Sequence, residues 1–131
     1  YVVGSAELIE ALYKVKDSYN VSMLTQMVGL AALRDEACMR ANCEKVKATR
    51  GRLIRALRER GFEVTDSQAN FLWVKPPVMP AEQLFRALKE RHIFIRYFPG
   101  LRTGAWLRIS IGTDAQMDTL LRVMDELMAA G

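Results

Sequence analysis

No stretch of this sequence stays apolar for the ~18 residues that a membrane-spanning helix needs, which argues against a transmembrane protein. Histidine is nearly absent: His92 stands alone. Cysteine is scarce, with only Cys38 and Cys43. A zinc-type centre needs several converging ligands, so the composition argues against a metal site. The two thiols lie five apart on an expected helix and point in different directions. They read as small reduced side chains in a cytoplasmic setting rather than a disulfide. The N-terminus has no basic region and no cleavage pattern, so it does not read as a signal peptide. It also has no initiator methionine, and opens on Tyr1-Val2-Val3-Gly4, a short β-like run. That opening is expected of a piece of a longer protein. Repeats and low-complexity segments are missing too. The net charge of +4 is too mild to imply a nucleic acid or a membrane surface.

What is present is ordinary globular composition. Half the residues are hydrophobic, enough for one domain with a buried core. Ser5 can cap a helix to about Lys16, with Glu7 in its first turn. Asp17-Ser18-Tyr19-Asn20 breaks the pattern. Ser22 can cap a second helix, Met23 to Leu33, which is apolar nearly all round and so is expected in a core or an interface. A long helix from about Asp35 to Arg60 follows, with a stripe of Met39, Cys43, Val46, Leu53 and Leu57, and Gly61 as its stop. The period then changes from helical to alternating. Residues 62–65 and 70–75 read as strands. Ala81 to Arg91 is an amphipathic helix, Ile93 to Tyr97 a strand, and Trp106 to Ile111 the last strand. Thr113 and Gln116 form a capping box for a final helix on Met117, Leu120, Leu121, Met124 and Leu127. The fold class is therefore α+β: about four strands in a small mixed or antiparallel sheet, helices on one face, and N-terminal helices in front. Residues 1–34 are expected to be a linking helical segment and 35–131 the small α+β domain.

Two arginines stand out. Alternation places Arg108 with Trp106 and Ser110 on one face of its strand, and Arg96 with Phe94 and Phe98 on one face of another. A guanidinium among large apolar neighbours is costly unless it finds a carboxylate or phosphate. Its planar fork grips either with two parallel hydrogen bonds. The pattern leaves three readings open: an ion pair with Asp or Glu, an arginine reaching solvent, or a ligand-anion site. No acid occupies a matching inward position on residues 70–75, which weakens the ion pair.

The signatures around these residues resemble a known family. Ser67-Gln68-Ala69-Asn70-Phe71-Leu72, Ile93-Phe94-Ile95-Arg96-Tyr97-Phe98 and Leu107-Arg108-Ile109-Ser110-Ile111-Gly112-Thr113 are similar, in order, to three signatures of the class II aminotransferases of pyridoxal-phosphate fold type I. Within that class the chain most resembles the histidinol-phosphate aminotransferases. Tyr19-Asn20-Val21-Ser22 is similar to their Pro-Tyr-Asn segment, with Ser18 where the proline stands. Tyr1-Val2-Val3-Gly4 resembles their Gly-Tyr-Ala-x-Gly strand. The resemblance implies the C-terminal small domain of such an enzyme. It implies that Arg108 grips the substrate's carboxylate or phosphate and that Arg96 is a second anion contact. Asn70 would line the cofactor cleft, and Tyr19 and Asn20 would lie near the substrate entrance. Pyridoxal 5'-phosphate would serve the intact, homodimeric enzyme. Its Schiff-base lysine and phosphate-holding arginine would lie before Tyr1, in the missing large domain, so no covalent cofactor is expected on this chain. The six lysines here match no such motif. An aromatic aminotransferase or a threonine-phosphate decarboxylase would share these features. A stand-alone regulatory module binding a small anion would use the same arginines.

Other features have plainer readings. The basic stretch from Lys45 to Arg60 could suit nucleic acid, but no aromatics are interleaved and it reads as a solvated helix face. His92 falls at a helix-to-strand turn where glycine is usual. Met23, Met27, Met117, Met124 and Met128 read as packing. Trp73 and Trp106 read as sheet-face residues, with Trp106 beside Arg108.

Overall fold

A serine hydroxyl starts each of the first two helices. Ser5 accepts from the Leu8 amide at 3.4 Å and opens α1, Ala6–Val15. Ser22 accepts from the Thr25 amide at 3.2 Å and opens α2, Met23–Arg34. Such caps satisfy one of the amides that a helix start leaves unpaired. The computed structural model describes residues 1–129, which divide into a unit of Tyr1–Cys38 and a second from Met39 onward. Within the first unit neither helix buries a residue. The apolar girth of α2 is open, with Met23 at 77% and Leu33 at 81% exposure.

The division falls inside α3, Glu36–Glu59. The second unit continues with β1 (Glu63–Val64), β2 (Phe71–Lys75), α4 (Ala81–Glu90), β3 (Arg96–Tyr97), β4 (Leu107–Ser110) and α5 (Asp114–Ala129). The four strands form one sheet in the order β1-β2-β4-β3, every pair antiparallel. Strand alternation makes the two faces unlike. Leu72, Val74, Leu107 and Ile109 point into the core. They meet Leu53 and Leu57 of α3, Leu84 and Leu88 of α4, and Leu120 and Met124 of α5. Each such side chain contributes about 1.5–3 kcal/mol by leaving water. The other face carries Phe71, Trp73, Trp106 and Arg108.

The α3 stripe is shorter than its sequence period suggests. Leu53 and Leu57 are fully buried and Val46 is half-buried, but Met39 and Cys43 are exposed. A helix of 24 residues rises about 36 Å, whereas a five-residue strand spans only about 17 Å. The sheet cannot underlie the whole helix.

Two strands also start later than their sequences suggest, for one shared reason. At the end of α3, the Phe62 amide donates to the Leu57 carbonyl at 3.0 Å and the Gly61 amide to Arg58 at 2.9 Å. At the end of α4, the Ile93 amide donates to Leu88 at 2.9 Å and His92 to Lys89 at 3.0 Å. Both are Schellman closures, which put the residue after the helix in the left-handed region. Gly61 takes φ +80° there and His92 φ +59°. The amides of Phe62 and Ile93 are thus spent on helix carbonyls. Pairing begins only at Glu63 and at Arg96. A side chain at a left-handed position is strained, whereas glycine is not. His92→Gly is therefore expected to stabilise the domain by roughly 0.5–1 kcal/mol, read as a higher urea midpoint. An unchanged or lower midpoint would contradict it.

Two arginines of the basic run, Arg52 in α3 and Arg60 just after it, tie to α5. Arg60 grips Asp125 with two bonds, Nε to Oδ1 at 2.7 Å and Nη2 to Oδ2 at 2.8 Å. Arg52 reaches Asp114 at 3.1 Å and also Asp118. Thr49, buried, donates to Asp114 at 2.9 Å. The start of α5 is closed by the reciprocal pair expected from sequence: Thr113 N–H to Gln116 Oε1 at 2.8 Å and Gln116 N–H to Thr113 Oγ1 at 3.3 Å. Gly112 makes room, since a Cβ there would meet Gln116 Oε1 at 2.5 Å.

These ties predict an acid response. The Thr49 hydroxyl, then Arg52, hold the Asp114 carboxyl below its ordinary value. Arg60 does the same for Asp125. A carboxylate depressed in the fold contributes stability above its unfolded pKa, near ~4, and loses it as pH falls through the folded value. The thermal midpoint is therefore expected to drop progressively below about pH 4. Asp125→Asn should be less stable than the parent at neutral pH. That gap should close in acid. A constant gap at all pH values would rule the tie out as a contributor.

Candidate anion-binding site

Arg108 occupies the middle of β4, and the antiparallel register sets its neighbours. Trp73 of β2 lies directly opposite on one side and Arg96 of β3 directly opposite on the other. Two guanidinium side chains therefore share one face at facing positions, an arrangement that repels. Among the described residues no carboxylate lies within ion-pair distance of either. Glu63, on the same face at β1, is taken by Lys75 at 3.4 Å. The Nε of Arg108 is buried and has no hydrogen-bond partner. Leaving a buried charged donor unmatched is costly, and one anion would correct both defects at once. It would satisfy the fork of Arg108 and screen it from Arg96. The structural ion pair left open by the sequence is absent here.

Aromatic rings complete the face. The Arg108 guanidinium carbon lies 5.3 Å from the centre of the Phe71 ring and 5.7 Å from that of Phe98. Trp73 stacks on Trp106 at 6.2 Å and 8°, and meets Phe98 at 6.0 Å and 39°. The sequence pattern placed Trp106 beside Arg108 but gave no sign that Phe71 would reach it from the next strand.

Asn70 stands just before β2, exposed, and its carbonyl accepts from the Ile111 amide at 2.8 Å. Its segment is held from α3: Arg50 donates to the Ala69 carbonyl at 2.8 Å and to Gln68 Oε1 at 3.3 Å. Arg50 was part of the basic run, and no spacing rule singles it out. Tyr19 and Asn20 lie between α1 and α2, in the first unit, both exposed. Arg96, Arg108 and Asn70 belong to the second.

Every lysine is exposed. Among the described residues no cluster of three or more His, Cys, Asp or Glu could hold a metal ion, and no helix is long and apolar enough to cross a membrane. A cleft of about 550 Å³ opens on the helix-bearing side where residues 93–95 leave the edge of β4, lined by Ile93, Ile95, Ile109, Ile111 and Met117. No arginine or lysine lines it, whereas Arg96 and Arg108 lie on the opposite face.

The family model for aminotransferase class I and II matches residues 1–124. The histidinol-phosphate aminotransferase of Microcystis aeruginosa is 46% identical over 125 residues, covering 95% of this chain and 36% of that protein. Histidinol-phosphate aminotransferase 1 of a Nostoc species is 48% identical over 128 residues, covering 96% and 36%. The solved histidinol-phosphate aminotransferase of Sinorhizobium meliloti, in complex with pyridoxal-5'-phosphate, superposes with a TM-score of 0.77 at 25% identity, over 92% of this chain and 34% of that one. The chain thus spans little more than a third of the length of the relatives it matches. Matched by the family model along nearly all of its length, the chain belongs to the class I and II aminotransferases.

Proposed function

We propose that this chain is the C-terminal small domain of a pyridoxal-phosphate-dependent histidinol-phosphate aminotransferase, and that it supplies the arginine that grips the substrate. The observation that carries this reading is Arg108: a buried Nε without a partner, facing Arg96 across the strand pair. Carboxylate and phosphate both match a guanidinium fork. One arginine can therefore serve both halves of an exchange between histidinol phosphate and 2-oxoglutarate. Arg96, exposed at the sheet edge, adds a second positive charge for a doubly charged phosphate. Asn70, Tyr19 and Asn20 are assigned to the surroundings of the substrate.

The six lysines of this chain match no Schiff-base motif, and we assign none of them to the cofactor. Pyridoxal phosphate is placed instead in the remainder of the intact protein, where it would supply the electron sink for amino transfer. The part played by this chain is to hold and orient the anionic end of the substrate. Orientation of that kind supplies much of the rate advantage of bound over free reactants. The open apolar girth of α2 is the surface we assign to the large domain and to a homodimer contact in a cytoplasmic enzyme.

The test is an assay of the full-length protein with pyridoxal phosphate. Amino transfer from histidinol phosphate to 2-oxoglutarate should be faster than transfer from phenylalanine or tyrosine. Release of carbon dioxide from threonine phosphate should be negligible. A preference for phenylalanine or tyrosine, which the Trp73–Trp106–Phe98 wall could also favour, would replace the proposed substrate. Tight binding of phosphate with no transamination at all would favour a regulatory anion-binding module.

A further inference from the structure

The anion site alone does not explain what holds the half-buried Arg108 in place while its Nε stays unpartnered. A carboxylate neighbour would neutralise the charge, but it would also occupy the fork. A phenyl ring does neither. Its face attracts a cation through the ring quadrupole, yet offers no lone pair that competes for the in-plane N–H groups. A guanidinium stacks on such a face with its edges free. Phe71 opens β2 on one side of β4 and Phe98 directly follows β3 on the other, and both rings lie within about 6 Å of the guanidinium carbon, the range of a cation–π contact. Phe98 is itself braced by Trp73, which is stacked on Trp106. The aromatic row is therefore continuous from the outer sheet to the arginine.

We propose that Phe71 and Phe98 are positioning residues for Arg108, fixing the plane of its guanidinium before an anion arrives and so strengthening anion binding without touching the anion. This rests on the reading of Arg108 as the substrate clamp. The physical gain is pre-ordering. A free arginine side chain carries rotamer entropy, which an unheld Arg108 would lose at the moment of binding. Both residues are exposed, Phe71 to 37% and Phe98 to 42%, so each can be altered with the core intact.

The experiment measures the calorimetric Kd of glutarate, with inorganic phosphate as a second probe, on the full-length protein. Phe98→Leu keeps an apolar side chain and removes the ring; it should weaken binding about threefold to fivefold, and Phe71→Leu with Phe98→Leu about tenfold. Phe98→Tyr keeps the ring and should retain binding. Arg108→Ala should abolish it, and in that background Phe98→Leu should have no further effect on any residual binding. If Arg108→Ala abolishes binding while both leucine variants bind as the parent does, the positioning role is wrong and the clamp stands. If Arg108→Ala binds as the parent does, the clamp is wrong and the positioning role falls with it. If Phe98→Leu weakens binding equally with and without Arg108, the ring acts independently and the inference is overturned. Thermal unfolding of each variant checks folding. Should the double leucine variant not fold, Phe98→Leu and Phe98→Tyr decide the matter alone.

Discussion

Arg108→Ala in the full-length protein is expected to lower kcat/KM for the anionic substrate roughly 10²–10³-fold, which corresponds to losing a charge-assisted contact worth about 3–4 kcal/mol. The size follows from the site. The fork is planar, its Nε is buried and unpartnered, and no other described cation on that face is held between rings. Lysine in its place keeps a charge but loses both the fork and the stacking, so Arg108→Lys should recover only a small part of the loss. Stability separates this from a structural role. Alanine removes one member of the Arg96–Arg108 pair and relieves a cross-strand repulsion of order 0.2–1 kcal/mol, while losing ring contacts of similar size. The unfolding midpoint is therefore expected to stay nearly constant while activity collapses. A fall in stability parallel to the fall in activity would mark Arg108 as a structural residue.

Leu53→Ala should have the largest effect on stability, about 2–5 kcal/mol. Leu53 is fully buried and sits where α3 meets the core built on the sheet and on α4 and α5. Deleting its branched end forfeits transfer energy and leaves a cavity that neighbours on three helices and a sheet cannot all relax to fill. Domains of this size are stable by only about 5–15 kcal/mol, so the variant should lose a large share of the total. Met39→Ala, on the same helix but 49% exposed, should change the urea midpoint by no more than about 0.5 kcal/mol. Equal effects at the two positions would mean that the helix is buried along its whole length.

The asymmetry between Leu53 and Met39 also shows where sequence reading meets its limit. Both lie on one period of the same helix, and period alone makes them equivalent. What separates them is the extent of the sheet beneath, a property of the assembled fold. The late start of the strands at Glu63 and Arg96 is a similar case. Phe62 and Ile93 have strand-like side chains, but their amides are claimed by the preceding helix ends.

By itself the sequence determined the local events. It set the hydroxyl caps at Ser5 and Ser22, the box at Thr113 and Gln116, the left-handed stop at Gly61 and the alternation that turns Arg108 away from the core. Each depends on residues a few positions apart, so nearby chemistry suffices. Tertiary structure alone decided what meets across strands and helices. It set Arg96 opposite Arg108, brought Phe71 and Phe98 to the same guanidinium, closed Arg52 and Arg60 onto acids of α5, and fixed Asn70's segment with Arg50. These contacts depend on strand register and helix packing. A shift of a single residue in the register of β3 or β2 would turn Arg96 or Phe71 to the other face, and no local pattern in the chain specifies that register on its own.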